Sequence, residues 1–255
     1  MALCKVHFKG RLGNNLFQLA SGYAYCKENG YTLCCDYVSP MPYNVYLNVS
    51  APPNSTGRIY REPHYRYAPI PPGFTELSGF FQSSKYFSKY ANEIRDLFAP
   101  TEDVRQYIIT RYASHITAAD TTIAIHARRG DFVNNPGHQV IQSNKYYEDA
   151  IQEIKKRTGH SEMRIFIVSD DIGWCREQAV FDGAYFLEET DPLISLYILS
   201  SFRHYVLSNS SFSWWAVFLS NTCGVVTCPS RWLNPSYITD DFDVYEPTWI
   251  KIACG

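Results

Sequence analysis

The sequence has no stretch of about 18 consecutive apolar residues, so nothing in it reads as a membrane span. Its opening, Met1-Ala-Leu-Cys-Lys-Val-His-Phe-Lys9, enters folded sequence at once and carries no apolar segment of signal-peptide length. The expectation is a soluble, cytoplasmic protein. The strings Asn48-Val-Ser50, Asn54-Ser-Thr56 and Asn209-Ser-Ser211 match the glycosylation pattern, but without a secretory route they carry no weight. The eight cysteines include no C-x-x-C, and the seven histidines include no H-x-x-x-H pair, so no zinc spacing is present. Reduced, mostly buried thiols are expected. There is no G-x-x-x-x-G-K-[ST] loop, which argues against phosphoryl transfer of the P-loop kind. A strong positive charge is lacking too. The net charge is −2, whereas a protein that holds nucleic acid by phosphate neutralisation is normally basic. Nucleic acid is therefore not expected as a partner.

What the chain has in quantity is aromatic side chains, 16% of its 255 residues. A length of 255 residues allows one large domain or two small ones. Strand and helix patterns alternate along most of it. Residues 3–8 read as a strand, Gly10 to Gly13 as a turn, and the stretch to about Glu28 as a helix capped by Asn14 or Asn15. Tyr31 to Asp36 follows as a strand. Residues 37–75 hold eight of the fourteen prolines and six tyrosines with no clear period. A short strand over 76–81 and helices over 83–97 and 101–118 come next. From Thr121 the alternation resumes: strands at 122–126, 164–169, 184–187, 204–208 and 224–227, helices at 144–158, 172–178, 191–201 and 211–220. Such alternation predicts parallel sheets. The fold class read here is α/β, two Rossmann-like halves facing across a cleft, divided near residue 118.

Ligands of open α/β sheets bind beyond the carboxyl ends of the strands. Four polar clusters fall at such positions: Gly10-Arg-Leu-Gly-Asn-Asn15, His126-Ala-Arg-Arg-Gly-Asp131, Ser169-Asp-Asp171 and Ser208-Asn-Ser-Ser-Phe-Ser213. The first suits a phosphate or a sugar hydroxyl at a helix start, and equally a plain tight turn. The second pairs two arginines, and a guanidinium grips a phosphate through two parallel hydrogen bonds. Alternating direction sends Arg128 and Arg129 different ways. Their competing use is a structural ion pair with Asp131. The third and fourth clusters read as helix N-caps, with base and phosphate contacts as the functional alternative. Asp241-Phe-Asp243, the one D-x-D string, reads as a solvated loop rather than a metal site.

In order along the chain, these clusters resemble the inverting α-1,2-fucosyltransferase family. Gly10-Arg-Leu-Gly-Asn-Asn-Leu-Phe-Gln18 looks like its G-x-L-G-N-Q-x-F-Q block, and His126-Ala-Arg-Arg-Gly-Asp-Phe132 like its H-x-R-R-G-D-Y block. Phe166 to Trp174 and Asn209 to Trp215 match two further blocks, while Gly79 to Ser83 and Pro229 to Trp232 resemble lesser ones. The resemblance implies a GT-B-like fold, GDP-β-L-fucose as donor, a galactose-containing glycan as acceptor, and no metal or other cofactor. It implies catalytic roles for Arg128, Asp131 and Asn14. It implies donor contacts from Gly13, Asn14, His126, Arg128, Arg129, Asp170, Asp171, Ser210, Ser211 and Phe212. Residues 1–118 would form the acceptor side and 119–255 the GDP-fucose-binding side. Arg128 and Arg129 would make a local positive spot, and the tyrosines of 37–75 would stack on the acceptor sugar. Nothing in the sequence indicates an oligomeric state.

Overall fold

In the computed structural model, every strand pairing among the described residues is parallel, and these strands fall into two separate sheets. The structure describes residues 2–36, 40–46, 57–63, 65–116, 119–135, 140–220, 224–236 and 243–254. The chain divides into two compact units. One is Met1–Thr101 with Asp240–Glu246, the other Glu102–Thr239 with Pro247–Gly255. The division thus falls ahead of the residue near 118 read from the sequence. The helix Glu102–Ile116 accounts for this, because it packs on the helix Pro192–Ser200 of the second unit.

In the first unit the strands are β1 (Leu3–His7), β2 (Thr32–Cys35), β3 (Ile59–Arg61) and β4 (Glu76–Ser78), in the order β2-β1-β4-β3. Helix α1 (Leu12–Asn29) connects β1 to β2. It ends at Gly30, in the left-handed region with φ 70°, whose N–H caps the Cys26 carbonyl. Its N-cap is Arg11, not the asparagines expected from the sequence; Asn14 and Asn15 already lie within the first turns. A short α2 (Tyr43–Tyr46) follows β2. Strand β3 lies inside the proline-rich segment, where no element was predicted; its three residues are too few to show a period. The predicted helix over 83–97 resolves into two 3-10 turns and α3 (Ala91–Leu97). Residue Asp243 is tied into this unit by the Tyr67 N–H (2.8 Å) and Lys85 Nζ (2.7 Å). It is therefore an anchored ion pair rather than a free loop residue. Asp241 and Phe242 lie outside the described residues.

The second unit opens with α4 (Glu102–Ile116). Its strands are β5 (Thr122–Ala127), β6 (Arg164–Ser169), β7 (Tyr185–Phe186), β8 (His204–Val206), β9 (Val226–Pro229) and β10 (Ile250–Ile252). Their order is β10-β9-β8-β5-β6-β7. The helices are α5 (Gly130–Val133), α6 (Asn144–Thr158), α7 (Ile172–Arg176), α8 (Pro192–Ser200) and α9 (Ser211–Leu219). Strand β5, Thr-Ile-Ala-Ile-His-Ala, is buried along its whole length, as a strand covered on both faces of a parallel sheet should be. Helix α6 lays Tyr146, Tyr147, Ala150, Ile151 and Ile154 against Ile123, Ile125 and Val206. Each isoleucine buried in this way contributes roughly 1.5–3 kcal/mol. Ser143 caps α6 at one end and Gly159 closes the other.

Candidate active site

Strand order fixes where each unit can bind a ligand. In the second unit the chain runs outward from β5 through β6 to β7, then returns to place β8 on the other side of β5. The crevice of a doubly wound sheet lies at this reversal, beyond the carboxyl ends of the strands. His126 lies one residue from the end of β5 and Ser208 follows β8, and His126 Nδ1 and Ser208 Oγ are hydrogen-bonded at 2.8 Å. Burial, with the Arg128 charge second, pushes the His126 pKa down to about 3, so the ring is neutral at ordinary pH. Phe212 packs on it at 5.1 Å between ring centroids. Ser210 caps α9 by accepting the Phe212 N–H, which places Ser211 and Phe212 in the helix's first turn. Asn209 anchors the loop from beneath: it donates to the Trp232 carbonyl (2.8 Å) and accepts from Gln142 (3.3 Å).

On the other side of β5, the register sets Ala127 beside Ser169. The residues that follow, Arg128-Arg129 and Asp170-Asp171, therefore emerge next to each other. Arg128 Nη1 lies 2.5 Å from Asp170 Oδ2, and its Nη2 is paired with Asp131. Arg129 turns away. Its Nε pairs with Asp171 Oδ2 at 3.3 Å, its guanidinium stacks 3.7 Å from the Trp174 ring centroid, and its backbone N–H donates to Asp170 Oδ1 at 2.9 Å. Asp171 also caps α7 through the Trp174 N–H. The cap reading of the sequence thus holds for Asp171 and Ser210 alike. Gly130 is required by closeness: a Cβ there would lie 2.2 Å from Asp170 Oδ2.

The local positive spot expected at Arg128 and Arg129 is not what the structure shows. Two guanidiniums meet three carboxylates, Asp131, Asp170 and Asp171, leaving a formal excess of one negative charge. Asp131 lies in the same motif as the arginines, whereas Asp170 and Asp171 stand about forty residues later and reach them only through the β5–β6 register.

The first unit repeats the arrangement at its own reversal, between β1 and β4. Gly10 turns the chain with φ +81°, a conformation that favours glycine. Gly13 is buried in the first turn of α1. Asn14 Oδ1 accepts from Gln82 Nε2 at 2.6 Å, joining the loop after β1 to the loop after β4. Gln18, fully buried, braces both: it exchanges hydrogen bonds with the Lys9 backbone and donates to the Gly79 carbonyl at 3.0 Å. Glu62 accepts the N–H groups of Phe80 and Phe81, and Phe81 sits at φ 53°. A buried non-glycine residue held there marks a loop fixed by its surroundings. Glu76, buried, pairs with His7 at 2.6 Å.

Sequence reasoning missed Trp174, Gln18, Gln82 and Glu62 as supports. Gln18, Gln82 and Trp174 lie inside the quoted blocks, but their partners stand in distant loops and only the fold brings them together. The stacking role read for the tyrosines of 37–75 is redirected at three positions. Tyr60 packs on Phe74 and Phe81, Tyr65 on Phe80, and Tyr67 on Tyr86. Tyr37 and the side chains of Tyr43 and Tyr46 lie outside the described residues, as do the strings at Asn48 and Asn54. Of the seven described thiols, Cys4, Cys26, Cys34, Cys175 and Cys228 are buried and all are free; Cys223 lies outside the described residues. Among the described residues, no group of three or more His, Cys, Asp or Glu is placed to hold a metal ion, and no helix is long and apolar enough to cross a membrane. A cavity of about 520 Å³ beside β7, lined by Arg111, Tyr112, Arg176, Tyr185 and Glu188 among others, contains none of the site residues.

Residues 2–253 match the description of Glycosyl transferase family 11. Among curated proteins, the chain is 25% identical to an alpha-1,2-colitosyltransferase of Escherichia coli, covering 99% of each. It is 26% identical to galactoside alpha-(1,2)-fucosyltransferase 2 of Oryctolagus cuniculus, over 84% of this chain and 66% of that one. Among solved structures it resembles NodZ alpha-1,6-fucosyltransferase soaked with GDP-fucose (14% identity, TM-score 0.53, 86% of this chain and 92% of that chain). It also resembles a mutant of Arabidopsis thaliana FUT1 in complex with GDP (13% identity, TM-score 0.51, 86% and 69%). At such identities the structural likeness speaks for the fold alone, and that fold is GT-B. With nearly its whole length matched and two Rossmann-like parallel sheets, the chain belongs to glycosyl transferase family 11.

Proposed function

We propose that the protein transfers L-fucose from GDP-β-L-fucose to the 2-hydroxyl of a galactoside, with inversion at the sugar carbon. The observation that carries this reading is Arg128, a guanidinium braced by Asp170 at the carboxyl end of the central strand of a Rossmann-like sheet. The relatives named as alpha-(1,2)-fucosyltransferases support the sugar and the linkage. In this reading residues 119–255 form the donor side and 1–118 the acceptor side.

As the bond from the fucose carbon to GDP breaks, its electron pair passes to a β-phosphate oxygen. Arg128 offsets that charge, and a fixed donor needs no reorganisation as the charge develops. Asp170 holds Arg128 directly, while Arg129, paired with Asp171, fixes Asp170 through its backbone N–H. Ser210, Ser211 and Phe212 offer a helix N-terminus and a ring to the nucleotide, with neutral His126 packed against Phe212. The acceptor oxygen forms the new bond from the opposite face. Its proton passes to Asp131, or leaves late with help from Asn14, while Gly13 offers its turn to the substrate. The reaction runs without a metal, so turnover is expected to persist in EDTA.

The match to a colitosyltransferase over 99% of both chains favours a second reading, in which another GDP-sugar is the donor. One experiment separates the two. The protein is incubated with a panel of GDP-sugars and β-galactosides, GDP release is followed, and the product linkage is read by NMR. GDP-fucose as the preferred donor with an α-1,2 product supports the first reading. Preference for another GDP-sugar supports the second.

A further inference from the structure

We infer that Asp131 is a resident anion on Arg128, and that the donor's diphosphate displaces it when it binds. This rests on the GDP-sugar reading above. Both terminal nitrogens of Arg128 are already engaged, Nη1 by Asp170 and Nη2 by Asp131, and the side chain is only 13% exposed. A phosphate takes a guanidinium best through two parallel hydrogen bonds. With a carboxylate on each terminal nitrogen, the diphosphate competes with one of them for that seat.

The surroundings decide which one leaves. Asp170 is held two ways, by the Arg128 guanidinium and by the Arg129 N–H. Its side chain is 26% exposed. Asp131 is 54% exposed and stands on the one-turn helix α5, three residues from its partner. Its open side lets water take up the carboxylate as it leaves Arg128, so this pair costs less to give up than the more enclosed pair with Asp170. The charge count points the same way. Three carboxylates around two arginines repel an incoming diphosphate until one moves aside. Once Asp131 swings out, Arg128 and Arg129 stay braced by Asp170 and Asp171, and the outer edge of Arg128 is open to phosphate. Asp131 therefore couples donor occupancy to the position of its own carboxylate, which becomes free of Arg128 only after the diphosphate is seated.

Calorimetric titration with GDP and, separately, with inorganic pyrophosphate tests this on wild type, Asp131→Asn and Asp170→Asn. Removing the competing anion is expected to tighten GDP binding about threefold to fivefold at low salt. The gain should shrink at high salt as the charges are screened. Asp170→Asn is expected to weaken binding. Asp131→Ala should show the same gain, and it serves if the asparagine variant does not fold. Unchanged or weaker binding in the Asp131 variants overturns the exchange. Wild type that binds pyrophosphate but not GDP removes the nucleotide reading, and the exchange is then judged on pyrophosphate. Wild type that binds neither overturns both.

Discussion

Acidification should weaken the second unit through one buried ring. His126 is 5% exposed and hydrogen-bonded to Ser208, and its pKa is pushed down to about 3. In the unfolded chain a histidine titrates near ~6.5. The folded value is the lower of the two. The stabilisation is therefore complete above the unfolded pKa and is lost as pH falls toward about 3. Between those limits the unfolded chain takes up a proton that the native state refuses. The resulting loss is about 2 kcal/mol at pH ~5, against a few tenths at pH ~7. All five tryptophans lie in the second unit, so their fluorescence reports its unfolding directly. Urea unfolding of wild type and His126→Gln across this pH range isolates the effect, because other titrating groups are common to both. The stability gap between them should narrow by about 2 kcal/mol on going from pH ~7 to ~5. A gap that does not change with pH would show that His126 titrates alike in both states, and would refute the reasoning.

Other expected outcomes concern the supports of the site. Gly130→Ala drives a methyl into Asp170 and should lower kcat about tenfold or more while the unfolding free energy from urea titration stays within about 1 kcal/mol of wild type; unchanged kcat would deny the contact its role. Arg129→Lys keeps the charge but loses the stacking on Trp174, and should cost about 1–2 kcal/mol in fluorescence-detected unfolding. Gln18→Ala strips the brace between the Lys9 and Gly79 loops and should cost about 2–4 kcal/mol, read by circular dichroism on thermal unfolding.

Much of the fold is legible in the sequence because parallel sheets advertise themselves. Strand β6 and helix α6 occupy the residues their patterns indicate. A short apolar run suits a strand covered on both faces, and a 3.6-residue apolar stripe suits a helix buried on one. Strand β3 and the one-turn helix α5 are too short to show a period. The site is legible in part. His126, Arg128, Arg129, Asp170 and Asp171 announce themselves as polar residues after apolar strands. Their pairing does not, because it depends on the β5–β6 register. That is also why charge read along the chain gave a positive spot, whereas charge read in space gives a negative one. The backbone bonds from Gln18 and Glu62 are set by loops converging from distant strands, and no local pattern encodes them.

In the fucosyl transfer proposed above, Arg128 carries the charge of departing GDP. The most direct measurement compares wild type and Arg128→Ala for single-turnover transfer from GDP-fucose to a β-galactoside, with circular dichroism confirming the fold. A loss of about 100-fold to 1,000-fold in the transfer step of a folded variant is expected. Near-normal transfer by a folded Arg128→Ala protein would contradict it.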